Sequence, residues 1–244
     1  MSVLFLTEGS KAYGRVHITR CEAIAQALTE YWKNSCFFID APDNRTGIFT
    51  AVNGESVIFD WKNDWARLKN EIERAKALYN TQALFIDSYH VDNSLLRKIN
   101  NLKLPLFILD DQAMYDYTYG TVINPTISAS KKDYKLHDPA ALHTGVSFAP
   151  LREPFWYEEP LPYLQRKGIL VTLGGSDMAD TLNEIASTLA DYTEEVTVLS
   201  AGTNKIESRG AVKVQTAFAD PWQMKDYIKS SRIIICAGGG TLIE

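Results

Sequence analysis

The stretch VLFLTEGSKAYGRVH, Val3 to His17, decides the fold. Val3-Leu4-Phe5-Leu6 is a continuous apolar run, as expected of a strand buried on both faces. A glycine-containing loop follows, and Ile18, Cys21, Ala25 and Leu28 then recur at the spacing of one helix face. The same rhythm continues outward. Strand-like runs recur at Cys36-Phe37-Phe38-Ile39, Val57-Ile58-Phe59, Ala83-Leu84-Phe85-Ile86 and Leu106-Phe107-Ile108-Leu109, and helix-like stretches run from Asp64 to Tyr79 and from Asn93 to Asn100. Short apolar strands alternating with amphipathic helices predict a parallel α/β sheet.

Between Pro150 and Lys167 the texture changes. Pro150, Pro154, Pro160 and Pro162 fall among charged and aromatic residues, which no regular element tolerates. Beyond them the α/β rhythm restarts with Ile169-Leu170-Val171-Thr172-Leu173, a helix from about Thr181 to Ala190, and Val196-Thr197-Val198-Leu199. Val212-Lys213-Val214, a helix from about Pro221 to Lys229, and Ile233 to Cys236 follow. The expected organisation is therefore a Rossmann-like domain over residues 1–150, a linker over 151–166 and a second Rossmann-like domain over 167–244. Two such halves in succession predict an interdomain cleft as the ligand site.

Composition narrows the function classes. The 244 residues are 45% hydrophobic and 23% charged, the profile of an ordinary globular protein. A formal charge of -5 gives no electrostatic case for nucleic acid. No apolar stretch reaches the ~20 residues of a membrane span, so stable membrane insertion is not expected. The N-terminus lacks a basic region and a small-residue cleavage site, which argues against a signal peptide. Cys21, Cys36 and Cys236 are odd in number and far apart, without metal-ligand spacing. A cytoplasmic protein with neither metal nor cofactor is expected; nothing here bears on oligomeric state.

Open parallel sheets bind ligands beyond the carboxyl ends of their strands. Three loops stand there. In the first, His17 falls in the opening turn of a helix, where the positive dipole end tends to lower an imidazole pKa. A neutral imidazole can take a proton from water, or merely hydrogen-bond the loop; position alone supports both. The second, Gly174-Gly175-Ser176-Asp177, can turn N–H groups toward an anion such as diphosphate, or be only a tight turn. The third, Gly238-Gly239-Gly240-Thr241 with Glu244, repeats that pattern after Ile233-Ile234-Ile235-Cys236, and Thr241 to Glu244 reads as a first helical turn. Asp87, Tyr89 and His90 follow one N-terminal strand and Asp110-Asp111 the next. A carboxylate there can orient a histidine or hold a sugar hydroxyl, although helix capping or solvation is the plainer reading for His90 and Asp111. The tyrosines of Tyr115-Asp116-Tyr117-Thr118-Tyr119 read as packing residues.

Taken together, these loops resemble the UDP-sugar hydrolases of pseudaminic acid biosynthesis (the PseG/SpsG family). That family is similar in turn to the GT-B glycosyltransferase that adds N-acetylglucosamine during peptidoglycan synthesis. Gly14-Arg15-Val16-His17-Ile18-Thr19-Arg20 parallels the family's G-x-G-H-x-x-R, and Ile86-Asp87-Ser88-Tyr89 its I-D-x-Y. Asp110-Asp111 parallels a D-D pair, and Asn124 an asparagine after the next strand. Gly145 to Phe155, with Arg152, parallels G-x-x-Y-A-L-x-R-x-E-F; Gly174-Gly175-Ser176-Asp177 and Ala237-Gly238-Gly239-Gly240-Thr241 with Glu244 close the series. Val16 stands where the family has glycine, Phe148 where it has tyrosine, and Pro154 where an acid is common.

The resemblance implies a GT-B-like fold and release of UDP from a UDP-linked diacetamido-trideoxy sugar by water attack at the anomeric carbon. His17 would be the base, with Asp87, Tyr89 and Asp111 orienting water or sugar. Gly14, Arg20, Asp110, Asn124 and Arg152 are implied as substrate-binding. Gly174, Gly175, Ser176, Gly239, Gly240 and Thr241 would face the diphosphate, and Glu244 the ribose hydroxyls. A glycosyltransferase using the same donor, or a nucleotide-sugar binding protein without catalysis, are the alternatives. The second half has fewer strands than the about five or six of open doubly wound sheets. The C-terminal half is therefore expected to be truncated, with Gly238 to Glu244 poorly ordered unless another chain covers them.

Overall fold

The computed structural model describes residues 1–10, 14–29, 31, 34–43, 47, 49–113, 115–135, 141–174, 178–200, 206, 208–215 and 220–244. The chain divides into two compact units, one holding Met1–Ser10 with Arg15–Pro150 and the other holding Lys11–Gly14 with Leu151–Glu244.

In the first unit the elements run β1 (Ser2–Glu8), α1 (Val16–Ala27), β2 (Asn34–Asp40), β3 (Glu55–Ile58), α2 (Trp65–Tyr79), β4 (Thr81–Asp87), α3 (Asn93–Asn100), β5 (Leu106–Leu109), β6 (Thr121–Asn124) and β7 (Ala141–Thr144). They form one sheet in the order β3-β2-β1-β4-β5-β6-β7. Every neighbouring pair is parallel. All seven residues of β1 are buried, as its apolar run predicts. Their alternation splits them between two cores. Leu4 and Leu6 pack with Leu68, Ile72, Leu96 and Ile99 of α2 and α3, while Val3 and Phe5 pack with Ile18, Cys21 and Ala25 of α1. Both faces of the sheet are thus covered by helices, the doubly wound arrangement.

Local signals place the helix ends. The side chain of Asp64 accepts from the Arg67 N–H, and Asp92 accepts from the Leu95 N–H, each satisfying an otherwise orphaned donor. Asn80 closes α2 in the left-handed conformation at φ 52. Two strands lack the continuous apolar run that marks the others. β6 alternates half-buried and buried positions, and β7, at the sheet edge, alternates exposed and half-buried ones. An edge strand covered on one side needs no unbroken apolar sequence, so β7 carries no strand signal of its own.

The second unit holds β8 (Ile169–Thr172), α4 (Ala179–Leu189), β9 (Val196–Leu199), β10 (Val212–Gln215), α5 (Pro221–Ser230) and β11 (Ile233–Cys236). Its sheet runs β10-β9-β8-β11, again wholly parallel. Ile169, Val171, Val196 and Val198 pack with Leu182 and Ala186 of α4. The Pro-rich stretch carries only 3-10 turns, at Glu153–Phe155 and Tyr163–Gln165. Thr241 to Glu244, expected to open an α-helix, instead belongs to a single 3-10 turn, Gly240–Leu242, that follows bends at Gly238 and Gly239. No helix among the described residues is long and apolar enough to cross a membrane, and Cys21, Cys36 and Cys236 are free thiols.

Candidate functional site

The order of the first sheet reverses between β1 and β4, and such a switch point leaves a crevice at the carboxyl ends of the two strands. Glu8 ends β1 and Asp87 ends β4, with Thr7 in register with Asp87. Gly14 enters α1 at φ 63, a left-handed conformation that glycine adopts without strain. His17 is the second residue of α1 and is completely buried.

The imidazole is oriented by charge. His17 Nδ1 lies 2.6 Å from Asp87 Oδ1. A carboxylate can only accept, so Nδ1 is the protonated nitrogen and the lone pair of the neutral ring falls on Nε2. One turn further along α1, Arg20 donates from Nε to Asp87 Oδ2 at 2.8 Å and from Nη2 to Oδ1 at 2.5 Å. Its Nη2 also lies 3.0 Å from His17 Nδ1, because both donors converge on one carboxylate oxygen. The third arm, Nη1, donates to Asp111 Oδ2 at 2.6 Å. Burial alone would push the Asp87 carboxyl up, but the Arg20 guanidinium and His17 hold it below the ordinary carboxylate range. Arg20 shows the reciprocal effect: burial lowers its pKa, yet Asp87 and Asp111 together raise it. Tyr89 sets its ring edge-on to His17, with centroids 4.3 Å apart, and its hydroxyl donates to Asp111 Oδ2 at 3.4 Å. Burial, then the nearby Asp111 charge, push the Tyr89 phenol up.

Asp110 and Asn124 form the support behind this array. Asp110 Oδ1 accepts from the N–H groups of Gln112 and Ala113, both at 3.0 Å, and Oδ2 accepts from the Tyr117 hydroxyl at 2.8 Å. Asn124 donates to the Tyr134 hydroxyl at 2.9 Å, and that hydroxyl donates to the Asp110 carbonyl at 2.8 Å. Burial and the Asp110 charge push both phenols up, which keeps them as donors. The side chains of Asp110 and Asn124 thus point into their own loops. There they fix the turn that aims Asp111 at Arg20. Tyr117 is buried, as a packing residue should be, and Tyr115 donates to the Tyr89 carbonyl at 3.0 Å. His90 is exposed and its N–H donates to Ser88 Oγ at 3.1 Å.

Sequence reasoning missed Glu8, Lys62 and Asp40. Glu8 Oε1 accepts from the Tyr89 N–H at 2.7 Å and lies 3.8 Å from His17 Nε2. Lys62 donates to Glu8 Oε2 and lies 2.8 Å from Asp40 Oδ2. Burial tends to lower the Lys62 pKa, but hydrogen bonds to Asp40 and Glu8 raise it overall. The available signal was an acid ending a strand that is otherwise apolar or neutral; nothing local marks Lys62. Beside this group a cavity of about 400 Å³ is lined by Asp40, Phe59, Asp60, Lys62, Asn63 and His90 among others. Among the described residues no group of three or more His, Cys, Asp or Glu side chains could hold a metal ion.

In the second unit β8 and β11 are parallel neighbours, with Thr172 in register with Cys236. The Gly174 loop and the Gly238–Thr241 turn therefore leave the sheet side by side at its carboxyl edge. Gly174 has φ 88, which favours glycine; Gly175, Ser176 and Asp177 lie outside the described residues. At Gly174, Gly239 and Gly240 no described atom comes within 4 Å of where a Cβ would sit, so no described packing demands these glycines. Thr241 is half-buried in the turn. Arg152 grips Glu244 with two parallel hydrogen bonds, Nε to Oε1 and Nη2 to Oε2, each 2.5 Å. This fork-on-fork geometry fixes the plane of the carboxylate.

No family model matches the sequence, and no curated protein matches it. Solved structures do resemble it. Against the crystal structure of MurG from Acinetobacter baumannii the TM-score is 0.56 at 13% identity, over 99% of this chain and 74% of that one. Against the glycosyltransferase SnogD from Streptomyces nogalater it is 0.56 at 16% identity, over 100% of this chain and 78% of the other. LpCGTa in complex with UDP gives 0.58 at 13% identity, over 99% and 76%. At such identities the likeness is one of fold, and the fold is GT-B-like.

Proposed function

We propose that this chain is a GT-B-type enzyme that hydrolyses a UDP-linked diacetamido-trideoxy sugar, with His17 as the general base. One observation carries the proposal: a buried imidazole at the switch point of the first sheet, with Nδ1 bonded to Asp87 so that the basic lone pair is on Nε2. Asp87 has the orienting role familiar from catalytic triads, where a buried carboxylate fixes tautomer and ring plane. Arg20 holds Asp87 ionised and ties it to Asp111.

The chemistry needs little more. Diphosphate is a good leaving group, so a second carboxylate acting as general acid is not required. His17 takes a proton from water, the oxygen attacks the anomeric carbon, and the bond to diphosphate breaks with its electron pair leaving on UDP. Tyr89 and Asp111, at the mouth of the array, would orient water or the sugar, with Gly14 giving close approach of the loop backbone. In the second unit the paired glycine loops, Gly174-Gly175-Ser176 and Gly239-Gly240-Thr241, would offer N–H groups to the diphosphate. Glu244, its plane set by Arg152, would accept from the ribose hydroxyls.

A glycosyltransferase is the second reading, because solved proteins sharing the fold include one named as a glycosyltransferase. It uses the same base on an acceptor hydroxyl. Incubation with UDP-sugars alone separates the two: a hydrolase releases UDP without acceptor, a transferase only when one is added. Tight UDP binding in calorimetry with no turnover in either assay would leave a binding protein. Within the hydrolase reading, His17→Asn abolishes UDP release and leaves UDP affinity within about twofold; undiminished turnover refutes the assignment.

A further inference from the structure

We infer that the cavity beside Lys62 is a binding site for an uncharged sugar, separate from the site around His17. The cavity holds about 400 Å³, which falls in the size range of ligand pockets and leaves room for one pyranose ring. It lies within the first unit, at the carboxyl ends of β2 and β3, and its lining includes none of His17, Arg20, Asp87 or Asp111. Lys62 stands on its wall and is bound to Glu8, the residue that lies beside the imidazole. The Glu8–Lys62 ion pair therefore separates the cavity from the array.

The lining selects the ligand class. Its polar part is Asp40, Asp60, Lys62 and Asn63. Lys62 already faces two carboxylates, Glu8 and Asp40, and Asp60 adds a third negative charge, so an anion is repelled. An organic cation drawn to Asp40 meets the Lys62 ammonium 2.8 Å from it. No metal-binding group exists among the described residues. An apolar ligand would bury these polar side chains without partners. Hydroxyl groups satisfy them, because each hydroxyl both donates and accepts. Among the described residues Asp40 engages Lys62 through Oδ2, which leaves Oδ1 to accept. An ammonium has three N–H bonds, and those directed at Glu8 and Asp40 leave Lys62 one to donate. Asn63 turns its NH2 group onto Asp60, at 3.1 and 3.0 Å, which leaves its carbonyl oxygen as an acceptor beside the remaining lone pairs of Asp60. Acceptors set around one donor suit the neighbouring hydroxyls of a sugar ring. Pro42 and Ile58, the latter 38% exposed, offer apolar contact to the ring's C–H groups. Asp40 and Lys62 are fixed by their mutual pairing before any ligand arrives, so binding orders little more side chain.

The test titrates the full ¹⁵N-labelled chain with the methyl glycosides of glucose, galactose, mannose and N-acetylglucosamine. Glucosamine is the cationic control and glucose 6-phosphate the anionic one. At least one uncharged glycoside should shift the Asn63 side-chain NH2 and the backbone N–H signals of Asp60 to Asn63 saturably. A Kd of about 1 mM to about 10 mM is expected, as for one ring held by a few polar contacts. Asp40→Asn and Asp60→Asn each replace a charged acceptor by a neutral one and should weaken binding by about tenfold. Asp60 is exposed, so its variant decides the matter if Asp40→Asn does not fold. No saturable shift with any uncharged glycoside up to about 50 mM overturns the inference. So do shifts confined to α1 and the Asp87 loop, a charged control that binds as tightly as the uncharged glycosides, or unchanged affinity in every folded variant. The inference does not rest on hydrolysis: a chain that releases no UDP from any UDP-sugar refutes the proposed function, while the titration still judges this cavity.

Discussion

Asp87→Asn tests the array most directly, because it keeps the side chain's shape and removes its charge. Asp87 is 1% exposed and receives one hydrogen bond from His17 and two from Arg20. The amide presents one acceptor and one NH2 group, so at least one of those donors loses its partner. Among the described residues Arg20, only 14% exposed in its side chain, is left with Asp111 as its sole anionic partner. Breaking a buried ion pair from one side costs about 3–5 kcal/mol, and the retained amide acceptor brings the expectation toward about 3 kcal/mol. Urea unfolding followed by circular dichroism reads that loss directly. The pH dependence supplies a second measure. Because the folded Asp87 carboxyl titrates lower than the unfolded one, its contribution is complete at neutral pH. That contribution is lost as pH falls through and below about 4, where the unfolded chain takes up the proton first. The wild type should therefore lose stability more steeply than Asp87→Asn in that window. For activity, an asparagine that turns its NH2 toward Nδ1 moves the ring proton to Nε2 and removes the base, so kcat falls by about a thousandfold or more. A variant within about 0.5 kcal/mol of wild type in urea, with parallel acid profiles, would show that the carboxylate neither holds Arg20 nor fixes the imidazole.

Two further outcomes are expected. Arg152→Ala frees the Glu244 carboxylate from its fixed plane and should weaken UDP binding by about tenfold in calorimetry, as for one charge-assisted contact; equal affinity would remove Glu244 from the ribose role. Gly168→Ala forces a Cβ to within 2.5 Å of the Glu195 carbonyl at φ 67, and should destabilise the second unit by about 2 kcal/mol or more in thermal unfolding, since steric overlap adds to the left-handed penalty.

The amino-acid sequence by itself determined the local structure. The apolar runs mark β1, β2, β4 and β5 because a strand covered on both faces keeps its middle apolar, with its buried polar side chains confined to its ends. The ends of α2 and α3 are legible because Asp64 and Asp92 satisfy donors only three residues away. The loops that carry His17, Asp87 and Asp111 are legible because a parallel strand must end in a loop at its carboxyl edge. What these loops do together was not legible. His17 meets Asp87 across 70 residues, Arg20 meets Asp111 across 91, and Lys62 meets Glu8 across 54. Those meetings depend on the strand order β3-β2-β1-β4-β5, which pairing of whole strands sets and no local pattern encodes. The same cause separates the residues that form the array from those that support it. Asp110 and Asp111 are adjacent in sequence and chemically identical, yet one caps its own turn and the other reaches Arg20. Only the direction in which the folded loop turns each side chain tells them apart.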